Sequence, residues 1–353
     1  MKKVLKILLI PVLVIVLGVG GLLGWLTATE FDPASIEAAD VVRAGDVDMI
    51  KPGETLKVLS WNVGYAGLGK AEDFFMDGGT RSKPDSRDTV QRYLGGISAS
   101  IEETGADLVL LQEVDINSSR TYSIDERGFL DGGMSCKSYA LNYSCPFVPV
   151  PVPPIGKVNS GLYTMTDDLQ IARAERHSLP CPFSWPLRIA NLKRCLLVNY
   201  LPIEGSDKQL VLVDLHLEAY DSGEGKIAQT RQLMGFLEDE YLKGNYVIAG
   251  GDFNQIFPGG LETYPNTHPE LWTPGLLEEE SLPEGFRYLF DLSVPSCRLL
   301  NQPYDPSDAA NTQYYVIDGF IVSPNVTVES VEGLDLGFEN SDHNPVLISI
   351  ALG

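Results

Sequence analysis

The stretch Val247-Ile248-Ala249-Gly250-Gly251-Asp252-Phe253-Asn254 decides how this chain is read. Its first residues form a short apolar run of the kind that makes a strand buried on both faces. Two glycines then allow a turn, and a carboxylate and an amide follow at once. Five other stretches run from an apolar strand straight into a polar side chain. They end at Asn62 (Leu59-Ser60-Trp61-Asn62), Glu113 (Leu108-Val109-Leu110-Leu111-Gln112-Glu113), His216 (Leu212-Val213-Asp214-Leu215-His216), Asp318 (Tyr314-Tyr315-Val316-Ile317-Asp318) and Ser341-Asp342-His343. Strand ends aimed at one rim are where α/β proteins build sites. Gathered there, these carboxylates, amides and histidines are the inventory for holding a hard divalent cation through oxygen with two imidazoles beside it.

Each stretch also has a bland reading. Asn62 can cap a turn, His216 can be a satisfied core histidine, and Asp252 with Asn254 can form a turn after the glycines. Asp318-Gly319 is an ordinary turn signal, and Asp342-His343-Asn344-Pro345 can be a loop leading into the last strand. Glu113 is harder to dismiss, because a carboxylate after a buried apolar run needs a partner or a metal. Recurrence of the arrangement six times favours a site.

Working outward, strands are expected at 56–61, 107–111, 161–165, 195–202, 209–215, 246–249, 314–322 and 345–351. Helices are expected at 89–104, stopped by Gly105, and at 225–243, stopped by Gly244. Residues 64–88 and 256–312 read as long loops. Strands alternating with few helices fit an α/β sandwich with two central sheets. The Pro-rich run 143–160 reads as a polyproline-like surface segment, either a rigid loop packed on the domain or a contact for membrane or apolar ligand.

In order, Trp61-Asn62, Leu111-Gln112-Glu113, His216-Leu217-Glu218-Ala219, Gly251-Asp252-Phe253-Asn254, Ile317-Asp318 and Ser341-Asp342-His343-Asn344-Pro345-Val346 resemble the endonuclease/exonuclease/phosphatase superfamily. The resemblance covers about 290 residues, Trp61 to Val346. It implies a four-layer α/β/β/α sandwich of two mostly antiparallel sheets. It implies Mg²⁺, with Mn²⁺ as a substitute, held by Asn62, Glu113, Asp342 and Asp252. It also implies Asp252 and Asn254 positioning water and phosphoryl oxygens, His343 as general base or transition-state imidazole, Asp318 orienting it, and His216 as a second catalytic imidazole. The resemblance does not choose a substrate. Arg81, Lys83, Arg87, Arg92, Arg120 and Arg173 can bind phosphate or sit as solvated surface. Tyr65, Tyr122 and Tyr163 can line a pocket or pack in the core.

Three further features bound the function. From Ile7 to Leu26 there are 20 residues without a charge, preceded by Lys2, Lys3 and Lys6 and followed by Glu30, Asp32, Glu37 and Asp40. That length crosses a bilayer, and the charge bias places the N-terminus inside and the remainder outside. A cleaved signal peptide is the rival reading. Residues 1–29 are thus expected as basic start and anchor, 30–54 as a linker, and 55–353 as the catalytic domain. Formal net charge is −22, and after residue 26 there are 23 basic against 48 acidic side chains. Such a body repels polyphosphate backbones at long range, which argues against tight non-specific nucleic-acid binding. Five cysteines in an exported chain suggest local pairs Cys136–Cys145 and Cys181–Cys195 with Cys297 free, connectivity being open. Scarce histidines and the lack of a Cys-x-x-Cys argue against a zinc site.

The expectation is an exported, metal-dependent phosphoester hydrolase, leaning toward a small or lipid-linked substrate. The alternatives are a cell-surface nuclease on DNA or RNA and an inactive binding module. Oligomeric state is left open.

Overall fold

The computed structural model describes residues 2–353, with the side chains of 2–8, 309 and 310 excepted. The apolar N-terminal helix is α1 (Lys2–Ala28). Strands β1 (Ile36–Ala39), β2 (Val41–Arg43) and β3 (Thr55–Asn62) lead into α2 (Arg87–Thr104) and β4 (Leu108–Asp115). A single turn, α3 (Arg127–Leu130), precedes the hairpin β5 (Cys136–Val148) and β6 (Gly156–Thr166). Next come β7 (Arg173–Ser178), β8 (Cys195–Pro202), β9 (Gln209–His216), α4 (Glu224–Leu242) and β10 (Tyr246–Asp252). The following stretch is mostly loop, with β11 (Gln255–Ile256), α5 (Gly260–Thr263), β12 (Gly275–Leu276), β13 (Arg287–Leu289), β14 (Cys297–Arg298) and β15 (Tyr314–Tyr315). The chain ends in β16 (Asp318–Val322), β17 (Val326–Gly333) and β18 (Val346–Leu352).

Two seven-stranded sheets form, in the orders β1-β7-β8-β9-β10-β16-β13 and β17-β18-β3-β4-β6-β5-β2. Each contains one parallel pair, β9/β10 and β3/β4, and is otherwise antiparallel. A parallel pair needs a crossover, and here it is a helix: β3-α2-β4 in one sheet, β9-α4-β10 in the other. Between the sheets lies an apolar layer that includes Val58, Leu110, Leu162, Leu197, Leu212, Ile248, Phe320 and Ile348. Leu233, Met234 and Leu237 of α4 cover the outer face of one sheet, and Val90, Leu94, Ile97 and Ile101 of α2 cover the other. Burying each such side chain contributes roughly 1.5–3 kcal/mol, so the helices are held mainly by these faces. The result is the expected α/β/β/α sandwich. Ser86 Oγ caps α2 by accepting from Thr89 N–H at 3.1 Å, and Gly105 ends it in the left-handed region at φ 56°.

Several polar bridges tie the sheets, Ser138 Oγ donating to Asn199 Oδ1 among them. Gln112 Nε2 donates to Asp214 Oδ1 at 2.7 Å, and both side chains are fully buried. Burial pushes the Asp214 carboxyl well above the usual carboxylate range, so it is held neutral. Replacing Gln112 with leucine strands that carboxyl and should cost roughly 1–3 kcal/mol of stability in urea unfolding. The double variant Gln112→Leu/Asp214→Leu should recover part of the loss.

Three expectations are corrected. Segment 30–54 was expected as a linker, yet β1 pairs with β7 and β2 with β5, one edge of each sheet, and Ile50 is buried in the inter-sheet core. The Pro-rich run is mostly hairpin. β5 continues to Val148 and β6 starts at Gly156, so only residues 149–155 turn. Pro146 is accommodated where the pairing register shifts between Cys145 and Val148, beyond the reach of β2. Finally, all five cysteines are free. Cys136 and Cys145 sit on one extended strand nine residues apart, about 30 Å by strand rise, far beyond disulfide reach. Cys181 and Cys195 each turn their thiol to a different carbonyl, Leu192 and Leu141. Of the N-terminal features, the side chains of Lys2, Lys3 and Lys6 lie outside the described residues.

Candidate active site

The two crossover units set the site. Both carry their polar residues at the C-terminal ends of their parallel strands, Asn62 with Glu113 and His216 with Asp252. The units face each other across the sandwich, so these four residues converge on one rim. Gly250 and Gly251 permit the approach. A Cβ on Gly251 would lie 1.9 Å from the Leu215 carbonyl, and one on Gly250 would lie 2.4 Å from the Phe320 ring. Glu113 reaches the rim through a register shift between Leu111 and Val114, where its backbone takes φ 59°. That left-handed conformation is costly for a side-chain residue and turns the carboxylate out of the sheet.

At the centre lies Asp252. Asn62 Nδ2 donates to Asp252 Oδ2 at 3.0 Å, and His216 Nε2 lies 3.4 Å from the same oxygen. Asp252 Oδ1 accepts from Asn254 N–H at 2.8 Å, and Asn254 Nδ2 donates to the Leu217 carbonyl at 2.9 Å. His343 Nδ1 donates to Asp318 Oδ2 at 2.8 Å. Its Nε2 thereby faces Asn62 at 3.5 Å, Asp342 at 3.8 Å and Asp252 at 3.9 Å. Trp61 Nε1 donates to the His343 carbonyl at 2.9 Å, pinning that main chain to β3. All eight expected site residues therefore meet in one cluster.

The electrostatics are strained. Burial and the neighbouring Asp318 push Asp252 up to about 7. Burial pushes Asp342 up to about 6, with Glu113 adding to it. Burial opposes charge on His343, yet Asp318, Cys297 and Asp342 together hold it well above the ordinary imidazole value. Burial takes His216 well below that value, helped by Arg194, and keeps it neutral. Two imidazoles in one site are thus driven to opposite states by their surroundings.

The chain matches the endonuclease/exonuclease/phosphatase family model over residues 59–343. It belongs to the endonuclease/exonuclease/phosphatase family. As a member, it falls among the phosphoester hydrolases. No curated protein sequence matches it. Among solved structures, an endonuclease/exonuclease/phosphatase protein from Beutenbergia cavernae is 17% identical, with 85% of this chain and 72% of that one covered and a TM-score of 0.56. One from Bacteroides vulgatus is 14% identical, with 85% and 100% covered and a TM-score of 0.52. The catalytic domain of human nocturnin is 15% identical, with 89% and 97% covered and a TM-score of 0.52. At such identities the likeness concerns the fold.

The family is generally metal-dependent, and the residues present fit a hard cation. Glu113, Asp252 and Asp342 converge, and among the described residues no lysine or arginine lies within ion-pair range of them, only the rings of His216 and His343. Repulsion among those carboxylates is what a divalent ion relieves. Glu113 is the most accessible of them, its side chain 24% exposed. Asn62 differs from expectation in one respect. Its Oδ1 accepts from Gly64 N–H at 3.0 Å and its Nδ2 faces the carboxylates, so ligation through oxygen requires the amide turned over. Asp252, Asp318 and His343 also offer ligand atoms within 4.8 Å of one another. However, Asp318 Oδ2 is already taken by His343 and by Ser296 Oγ at 2.8 Å, so this trio is an oriented histidine.

Around the cluster opens a cavity of about 270 Å³. Of the six basic candidates only Arg120 lines it. Asp115 grips Arg120 Nε and Nη2 at 2.9 Å each, and the guanidinium lies 3.5 Å from the Tyr65 ring centre. Of the three tyrosines only Tyr65 lines the cavity; Tyr163 packs in the layer under α2 and Tyr122 donates to the Pro84 carbonyl. Four contributors escaped the sequence reading. Ser296 Oγ accepts from Ile317 and Asp318 N–H and fixes the Asp318 carboxylate. Arg194 donates to the His216 carbonyl at 3.1 Å. Tyr220 and Trp272 form part of the cavity wall. None sits in a strand-end motif, so no local signal marks them.

Proposed function

We propose that this chain is a divalent-metal-dependent phosphodiesterase or phosphatase, acting outside the cytoplasmic membrane on a small or lipid-linked phosphoester. The observation that carries the reading is the Asp318–His343 pair at 2.8 Å, aimed into a cavity that Glu113, Asp252 and Asp342 line beside it. Glu113, with Asp342 and Asp252, would hold Mg²⁺ or Mn²⁺, which supplies neutralising charge for the phosphoryl oxygens. Asp318 fixes the tautomer of His343, so that in the neutral imidazole, which a bound cation would favour, Nε2 is the atom able to take a proton from water. The resulting hydroxide attacks phosphorus, the P–O bond to the leaving oxygen breaks on the opposite side, and that oxygen takes a proton from solvent as His343 returns its own. His216, kept neutral, offers Nε2–H to a phosphoryl oxygen as a hydrogen-bond donor. Asn254, held at φ 50° by its own contacts, orients the same oxygens.

The apolar helix α1 has a 20-residue span, Leu9–Ala28, with mean hydropathy 2.5, and supports an anchor that leaves the domain outside. The acidic body disfavours nucleic acid at long range. The test is hydrolysis by the purified chain on parallel panels of plasmid DNA, phospholipid vesicles and phosphomonoesters, with Mg²⁺ and with EDTA. Cleavage of lipid or small phosphoesters with DNA intact is the expected result. DNA nicking makes the chain a surface nuclease, and silence on every panel leaves a binding module.

A further inference from the structure

The cavity and the anchor share a wall. Leu26, near the C-terminal end of α1, is buried against Tyr143, Cys145, Val148, Ile155, Val158 and Ile189, with Leu22, Leu23 and Phe75 packed at the edge. Phe75, Tyr143, Val148 and Ile155 also line the cavity that holds the catalytic cluster. Trp185 Nε1 donates to Thr27 Oγ1 at 3.0 Å, and Arg188 with Lys193 pairs with Glu30 just past the helix. The end of α1 is therefore bound to the domain at the cavity rather than joined by a free tether.

Depth follows from helix rise. A 20-residue span measures about 30 Å, the thickness of the hydrocarbon layer. Leu22 and Leu26 then lie on the order of 3–9 Å below its outer boundary, and the cavity wall they touch cannot stand far above it. The surface around that point agrees. Val150, Val152, Trp185 and Leu187 are all more than half exposed, Val152 94% so. Trp25 and Trp185 flank the end of the span, where indoles favour the bilayer interface. The segments 142–166 and 180–195 carry no acid on a chain whose net charge is −22; Lys157 is half-buried there, while Arg188 and Lys193 share the single carboxylate of Glu30, leaving an excess of positive charge beside the span. Exposed apolar side chains beside cations and next to a span are the composition of a surface that sits on lipid headgroups.

We infer that the mouth of the cavity rests on the outer leaflet, with the 149–155 turn and Trp185–Leu187 in the headgroup layer, so that the substrate is a phosphoester carried by a membrane lipid. This rests on the phosphoester reading above and on α1 as the span. The phosphate would reach the acidic cluster while the apolar tail leaves along Phe75, Val148 and Ile155. An acidic body outside this patch keeps the remaining faces off the membrane.

The test uses the full chain in phosphatidylcholine vesicles that contain brominated lipid. Cys181, the one native thiol that is not fully buried, is replaced by serine, and a bimane label is placed at Val152→Cys, Leu187→Cys or Leu242→Cys. Leu242 is a fair control: it is exposed, apolar and at the end of α4 away from the strand ends that carry the site. Quenching is expected at positions 152 and 187 and not at 242. An unquenched label at 152 and 187 overturns the orientation. Because quenching needs no turnover, absence of hydrolysis on vesicles and soluble phosphoesters alike counts against the phosphoester reading alone. Substrate class is read by comparing phosphatidylcholine in the vesicles with soluble glycerophosphocholine and bis(p-nitrophenyl) phosphate. At least a tenfold preference for the bilayer form is expected. A smaller preference, or soluble turnover without lipid turnover, overturns the lipid reading.

Discussion

Replacing His343 with alanine is expected to lower kcat by about 10²–10⁴-fold while leaving the urea midpoint near that of the parent chain. The expectation follows from position. His343 Nε2 is the only ring nitrogen in the cluster whose opposite nitrogen is fixed by a carboxylate, at 2.8 Å from Asp318. It is also the one driven toward the charged form, while burial keeps His216 neutral. The partner variant Asp318→Asn separates orientation from proton transfer. An asparagine amide can offer Nδ2–H where the carboxylate accepts, which favours the wrong tautomer, and a loss approaching that of His343→Ala is expected. The two substitutions act on one unit, so the double variant should be little worse than either single. If the losses multiplied instead, Asp318 and His343 would be working separately and the dyad reading would fail. Ser296→Ala removes only the hydroxyl that holds Asp318, and an intermediate loss on the order of tenfold in kcat with KM unchanged is expected.

What the sequence made legible, and what it hid, divides along a physical line. The strands read correctly, such as Cys195–Pro202, Gln209–His216 and Tyr246–Asp252, are central strands buried on both faces, which write themselves as continuous apolar runs. The missed strands are edges or near-edges. β7 (Arg173–Ser178) has the sequence Arg-Ala-Glu-Arg-His-Ser and buries only two residues, because β1 and solvent share its outer side. β1 and β2 are short and polar, and only their pairing partners, more than 90 residues away, make them strands. The site was legible because its residues stand at strand ends, where apolar pattern gives way to chemistry. Ser296, Arg194 and Trp272 stand on loops whose positions depend on long-range packing, and so carry no periodic signal. The cavity's link to α1 was hidden for the same reason: Leu26 and Val148 are far apart in sequence and meet only in the fold.

The metal prediction turns on charge rather than turnover. In the metal-free chain three carboxylates share one rim, with Asp252 held up to about 7 by burial and by Asp318, and Asp342 up to about 6 by burial and by Glu113. An acid whose folded value is raised binds more protons in the native than in the unfolded state. Its ionisation therefore destabilises the fold as pH rises from the unfolded value, near 4, through the folded one. For Asp342 the window runs from about 4 to about 6. Asp342→Asn removes that penalty. In EDTA it should raise stability by on the order of 1–3 kcal/mol at pH 8, and the gain should vanish near pH 4. Saturating Mg²⁺ should stabilise the parent chain at pH 8, by about 2.7 kcal/mol at a hundredfold excess over Kd, and should stabilise Asp342→Asn less. Glu113→Gln, which keeps the side chain's length, should raise the Mg²⁺ concentration needed for half-maximal activity by roughly 10–100-fold. Activity that survives excess chelator, or a melting temperature in EDTA that Mg²⁺ does not move, would falsify the assignment of these carboxylates to a cation. In that case the charged His343 and protonation of Asp252 and Asp342 would have to balance the rim by themselves.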